Sequence, residues 1–257
     1  QDKKETLKVR RYIKKIYGFK KIKIYLRKKN LGLANNIVRG LEQVFKKNKL
    51  AIILEDDLVV SPSFLNYMNY YLRIYRNNKN VASVHGYCYP LKSQSKNYFF
   101  LKGADCWGWA TWKRAWTHYE NDASKLLNKL SKRKIQKEFN YNYSYPYFQM
   151  LEQTQKINNS WAVKWYASTF LKNMYTLYPT ISFVRNIGHD GTGTNSSKTN
   201  KFFIRKLNKT KKFKKIKIQE DLKMRKKFEE FFKTIYKKKS LFIRIIEKLK
   251  KIGTHLK

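Results

Sequence analysis

Acidic residues, cysteine, proline and glycine are all scarce in this chain, and no long apolar run occurs. Of 257 residues, 17 are Asp or Glu against 58 Lys or Arg, and there are 2 Cys, 4 Pro and 10 Gly. Cys88 and Cys106 form no CxxC pair, which argues against a zinc site. Two isolated cysteines fit buried thiols in a reducing cytoplasm, with a single disulfide the open alternative. Without a run of about 18 apolar residues no transmembrane helix is expected. Gln1-Asp2-Lys3-Lys4-Glu5 lacks the apolar core of a signal peptide. The absence of Met at the start points to a fragment or a trimmed chain. What is abundant is hydrophobic (42%) and aromatic (16%) residues, a composition that folds rather than one that stays disordered.

The formal charge is +41. Three readings stay open: a coding bias toward Lys, Asn, Ile, Tyr and Phe; attraction to an anionic membrane or a lipid-linked acidic glycan; and nucleic-acid binding.

No internal repeat occurs. Periodicity predicts a helix over Leu7 to Ile16, a strand over Lys20 to Leu26, a turn at Asn30-Leu31-Gly32 and a helix carrying Ala34, Ile37, Val38, Leu41, Val44 and Phe45 on one face. Leu50-Ala51-Ile52-Ile53-Leu54 reads as a strand buried on both faces, as in a parallel sheet. Ser61-Pro62 reads as a helix start. Val81 to Val84 and Tyr98 to Leu101 read as strands. Asp105 to Asn173 is aromatic and more helical, Thr176 to Ile187 returns to extended segments, and Gly188 to Asn195 is a loop. The rhythm predicts an α/β fold with a mixed, mostly parallel sheet flanked by helices. Two parts are expected: residues 1–197 as the main domain and 198–257 as a basic helical tail. The tail holds 23 Lys and Arg against 5 Asp and Glu. Its stripes Met224, Phe228, Phe231, Ile235 and Leu241, Ile245, Leu249, Ile252 fit helices packed on the domain or helices lying on an anionic membrane.

The chemistry centres on Glu55-Asp56-Asp57, directly after the apolar strand. In open α/β sheets ligands bind beyond strand carboxyl ends. Three like charges there call for a cation or for donors. Mg²⁺ or Mn²⁺ takes carboxylate oxygens and also binds diphosphate, stabilising the charge of a leaving nucleoside diphosphate. Side chains alternate along a strand, which makes Asp57 the candidate metal ligand, Asp56 the ribose contact and Glu55 a support. The competing reading is an acidic cap on the following helix. Trp107, Trp109 and Trp112 offer aromatic faces to sugar rings, with Gly103 and Gly108 allowing close approach, or they pack in the core. A base to deprotonate an acceptor hydroxyl is sought first in Glu152, then in Asp105, with Asp190 a third candidate. Lys164 and Arg185 are candidates to neutralise diphosphate.

Asn30-Leu31-Gly32-Leu33-Ala34, Ile52-Ile53-Leu54-Glu55-Asp56-Asp57 and Ser61-Pro62-Ser63-Phe64-Leu65 together resemble bacterial GT-A glycosyltransferases. They are more distantly similar to the N-acetylglucosaminyltransferase I family, whose members carry an EDD metal motif. Cys106 to Trp112, Ser160 to Ala167 and Asn186 to Thr194 are similar to further bacterial segments. The resemblance spans about Lys8 to Asn195. It implies a GT-A (Rossmann-like) fold, a nucleoside-diphosphate sugar donor, Mn²⁺ or Mg²⁺ and an inverting hexosyl or N-acetylhexosaminyl transfer. The implied acceptor is a glycan, a lipid-linked sugar or a protein, in the setting of cell-envelope polysaccharide. It also implies that donor contacts fall on Glu55, Asp56, Trp107, Gly108 and Trp109, with metal contacts on Asp57 and on His189 in a late diphosphate-covering loop. The N-terminal strand and nucleobase loop of such domains have no counterpart before Gln1. The acid that the eukaryotic family places between tryptophans is absent from Trp161-Ala162-Val163-Lys164-Trp165. Two alternatives are a nucleic-acid-binding protein, which the scarcity of cations around Trp107 to Trp112 disfavours, and an inactive GT-A-like domain that binds a membrane or a partner. The expected location is cytoplasmic, peripheral at the inner face of a membrane.

Overall fold

The computed structural model describes residues 3–91, 97–155, 160–191 and 198–236. Helices α1 (Lys3–Ile13) and α2 (Gly32–Lys47) lead into β1 (Leu50–Ile53), β2 (Leu58–Val60) and α3 (Phe64–Ile74). Strands β3 (Val81–His85), β4 (Tyr98–Leu101) and β5 (Trp109–Trp112) follow. A helical block comes next: α4 (Lys113–Trp116), α5 (Ala123–Lys132), α6 (Gln136–Phe139), α7 (Tyr147–Gln153) and α8 (Trp161–Leu171). The described part ends with β6 (Tyr175–Pro179), β7 (Val184–Asn186) and α9 (Leu222–Ile235).

The fold is α/β, with a five-stranded mixed sheet in the order β1-β5-β3-β6-β4 flanked by helices. The expectation of a mostly parallel sheet is corrected. Only β3 and β6 run parallel; β1·β5, β3·β5 and β4·β6 are antiparallel. An apolar run reports burial and says nothing of direction, which is set by the partner strand. The partner of β1 is the tryptophan segment itself, Ile53 lying opposite Trp109 and Leu50 opposite Trp112. β1 is also an edge strand, with Leu50 exposed and Ala51 to Ile53 half-buried. Helix α2 covers one of its faces through Leu41 and Phe45, while Ile52 packs toward α3.

Two local expectations also change. Residues 20–26 are extended but pair with no strand among the described residues, and Ile22, Ile24 and Leu26 are exposed. Alternation supplies strand propensity; a ladder needs a neighbour as well. The helix expected at Ser61-Pro62 starts at Phe64. The Ser61 and Ser63 hydroxyls are instead engaged with the backbone of a distant segment, donating to Asn208 O (2.5 Å) and Lys209 O (2.9 Å).

That segment, residues 198–221, is an extended strap over α3. Tyr67, Tyr71 and Tyr75 recur every four residues and so share one helix face. Tyr71 and Tyr75 donate to Lys214 O and Ile216 O, each at 2.9 Å. Burial raises both phenols above their usual range, which keeps them protonated donors. Arg185 donates to Ile204 O and Arg205 O and stacks on Phe203, pinning the strap's start.

The strap leads into α9, capped by Asp221, whose carboxylate accepts from Met224 N. Met224, Phe228 and Phe232 enter the core beside Phe99, Tyr141 and Tyr178, with Phe231 and Ile235 packed against them. Arg225 is buried; it pairs with Glu220 (2.9 Å) and Glu229 (3.2 Å) and lies over the Tyr141 ring. The first apolar stripe of the basic tail is therefore committed to the protein interior. The second, Leu241, Ile245, Leu249 and Ile252, lies outside the described residues. Among the described residues no helix is long and apolar enough to cross a membrane.

Phe228→Ala removes a fully buried ring and should lower the unfolding free energy by about 3–5 kcal/mol. Urea unfolding measures it; a loss below about 1 kcal/mol would show that α9 is not part of the core.

Candidate functional site

The acidic triplet occupies the turn between β1 and β2, with Glu55 and Asp57 half-buried and Asp56 exposed. The turn is held from across the chain. β2 pairs antiparallel with β7, Leu58 opposite Asn186, and Ile187 N donates to Asp57 O (2.9 Å). Asn186 accepts from Gly188 N through Oδ1 (2.7 Å) and shapes the bend. The result brings Gly188 against the carboxylate of Asp57: a Cβ built on Gly188 would sit 2.3 Å from Asp57 Oδ2. Only glycine fits without moving the acid.

His189 follows at once. Neither of its ring nitrogens has a hydrogen-bond partner or access to solvent. Its ring meets Trp107 at 5.2 Å and Phe202 of the strap at 5.0 Å between centroids. Trp107 is half-buried and also touches Tyr87 (4.7 Å). Gly108, with φ +65°, would bring a Cβ to 2.7 Å from Val184 and 3.4 Å from Leu54. The strand-end triplet, the Gly-His loop, Trp107 and Gly108 thus meet around one place. Residues 192–195 of the loop, with Thr192, Gly193 and Thr194, lie outside the described residues.

The electrostatics of the triplet follow from its crowding. Glu55 is pushed up to about 7, by desolvation first, then by Asp57 and Asp56. A cation between these groups would relieve the same repulsion. Among the described residues, however, no three His, Cys, Asp or Glu side chains form a group that could hold a metal by themselves.

Asp105 lies apart, among tyrosines. It accepts from Tyr89 OH (2.5 Å) and Tyr178 OH (2.6 Å). Desolvation raises it above the usual carboxylate range, and the two hydroxyl bonds hold it back. Ring contacts link it to the triplet's neighbours: Tyr89 meets Tyr87 at 5.5 Å, and Tyr87 meets Trp107. Tyr89 and Tyr178 could not be singled out beforehand in a chain with 19 tyrosines, since neither sits in a distinguishing motif.

The other candidates are placed elsewhere. Glu152 is exposed on α7, which packs on α5, α6 and α8, and nothing ties it to the triplet. Trp109 has no exposed surface and packs with Trp116, Trp161 and Trp165. Trp112 is buried as well, donating from Nε1 to Leu72 O. The Arg185 guanidinium is committed to the strap. Lys164 is buried on α8, its ammonium 3.3 Å from Asn121 Oδ1. Asp190 is exposed in the loop. Cys88 and Cys106 are buried free thiols, not a disulfide.

No protein-family model matches the chain, and no curated protein sequence matches it. Function has to be read from the site itself.

The raised Glu55 has a definite pH consequence. Between about 4.5 and 7 the folded chain holds this proton more tightly than the unfolded chain, so stability falls as pH rises through that window. Glu55→Gln should melt above wild type at pH 8 and show a flatter profile from pH 4.5 to 7 in thermal unfolding; an identical profile would remove the crowding argument. Gly188→Ala should displace Asp57 while leaving the melting temperature within a few degrees, since the change is at a surface loop.

Proposed function

We propose that this chain is a metal-dependent glycosyltransferase of the GT-A type, moving a hexosyl or N-acetylhexosaminyl group from a nucleoside-diphosphate donor to a glycan or lipid-linked acceptor with inversion. The observation that carries the reading is the packing of Gly188 on Asp57, which joins the strand-end acids to the Gly-His loop beside Trp107. The β2–β7 ladder brings these segments together, and His189, next in sequence to Gly188, keeps both ring nitrogens without a hydrogen-bond partner against Trp107 and Phe202.

The donor set fits a hard cation that is shared with the substrate. Mg²⁺ binds typically through one or two carboxylates plus substrate phosphates and water, not a full protein cage. Asp57 is the carboxylate ligand in this reading, and His189 supplies a nitrogen that suits Mn²⁺. Bound there, the metal neutralises the charge that develops on the departing diphosphate. Asp56, exposed at the turn, is free to accept from ribose hydroxyls. Trp107 offers an aromatic face to a sugar.

For the proton taken from the acceptor hydroxyl, Asp105 is favoured over Glu152. Its environment already raises it toward neutrality, as a general base requires, and ring contacts tie it to Trp107. Glu152 has neither feature. Tyr89 and Tyr178 then position the carboxylate by donating to its two oxygens.

Titration calorimetry with a panel of uridine-, guanosine- and thymidine-diphosphate sugars, with and without Mn²⁺, tests the reading. Wild type should bind one of them only with metal, and Asp57→Asn should lose metal-dependent donor hydrolysis by at least about 100-fold. Full activity in Asp57→Asn would sink the metal assignment. Asp105→Asn should lower turnover by about 100-fold or more with donor affinity retained; Glu152→Gln should do little.

A further inference from the structure

A cavity of about 850 Å³ opens between the C-terminal half of α3, the start of β1 and the strap, away from the triplet. That is within the roughly 300–1,000 Å³ range of small-ligand pockets. Its floor is fixed: Arg114 stacks on Trp112 at 4.4 Å and donates to the carbonyls of Tyr75, Arg76 and Val81. Its wall is aromatic, Tyr70 meeting Phe213 of the strap at 5.5 Å with 42° between the rings. Its rim carries Lys49, Arg73 and Arg76, and no acid lines it. None of these three cations is engaged in an ion pair among the described residues.

Cations without counter-charges, over a ready-made cavity with aromatic side chains and the amides of Asn66 and Asn77, define a ligand that is anionic and also rich in hydroxyls. We propose that this pocket binds an acidic oligosaccharide, as a site for the acceptor glycan remote from the triplet. The choice of a saccharide rests on the glycosyltransferase reading above. Nucleic acid fits less well, because it is tracked by long basic grooves with free aromatic platforms, whereas this cavity is bounded and the Trp112 face is covered by Arg114. β1 itself links the two sites. Leu50 lines the pocket and Glu55 stands five residues on, two beyond the end of β1, so the two residues are separated by at most about 17 Å at the rise of an extended chain. One glycan chain can span that distance, held by its acidic units at the pocket while its end reaches the triplet.

The test is calorimetry at low salt with tetragalacturonate as the acidic probe, maltotetraose as its neutral counterpart and the oligonucleotide dT8. Wild type and Asp57→Asn should bind tetragalacturonate alike. The triple variant Lys49→Ala/Arg73→Ala/Arg76→Ala should bind it about ten-fold more weakly or worse. Lys14→Ala/Lys20→Ala/Lys23→Ala, which removes the same charge elsewhere, should bind as wild type does. Maltotetraose should bind wild type at least about ten-fold more weakly. No binding of tetragalacturonate, equal binding by the rim variant, an equal loss in the distant variant, or tighter binding of dT8 would each overturn the pocket. Circular dichroism of the rim variant, whose residues are exposed, checks that its fold is retained. A wild type that binds tetragalacturonate but no nucleotide sugar keeps the pocket and removes the transferase reading, whereas donor binding without tetragalacturonate binding removes the pocket alone.

Discussion

The bonds from hydroxyl groups around α3 to the carbonyls of the strap are the interaction on which the rest depends. An extended segment carrying many lysines meets the sheet only at its end, where Glu220 bridges Phe100, and buried carbonyls without donors are costly. Ser61, Ser63, Tyr71, Tyr75 and Tyr87 supply those donors. Because Tyr71 and Tyr75 lie one turn apart on the same face, a rigid helix sets the path of a segment with no regular structure of its own. The strap then delivers Phe202 to His189 and Trp107, and Phe213 to Tyr70. Both candidate sites are completed by residues from it.

The polarity of the molecule sharpens the meaning of its few acids. With cations outnumbering acids by more than three to one, a carboxylate has abundant partners on any surface. Yet three acids are crowded in one turn, where burial first and the two neighbouring carboxylates second raise Glu55. The same economy applies inside, where Asp105 relies on two phenols and not on a cation. Both arrangements forgo the easiest stabilisation available to the chain. Rules broken at particular places while the rest of the fold obeys them mark function more often than accident.

Much of the architecture was legible. The strands at 50–54, 81–84 and 98–101 and the helix through Leu41 and Phe45 follow from local period and apolar content, which depend on few neighbours. The direction of the strands was not legible, because it is decided by pairing across the chain. The tryptophan segment hid its strand for the same reason: the residues that suit a sugar platform also suit a central strand, and Trp109 to Trp112 is placed between β1 and β3. Residues 20–26 show the converse, a strand pattern with no partner among the described residues.

By itself the sequence determined that Glu55-Asp56-Asp57 would stand at the end of an apolar strand, since three charges cannot continue a strand packed against α2 and α3. It also determined that a glycine-histidine loop would follow the last short extended segment. Only the tertiary structure decided that these two belong together, because the β2–β7 ladder that sets Gly188 on Asp57 joins residues 124 to 128 positions apart. It likewise divided the tryptophans, turning Trp109 into a core contact and leaving Trp107 beside His189. Trp107 precedes β5, whereas Trp109 and Trp112 lie within it and pack into different core clusters, a division visible only once the strand's neighbours are in place.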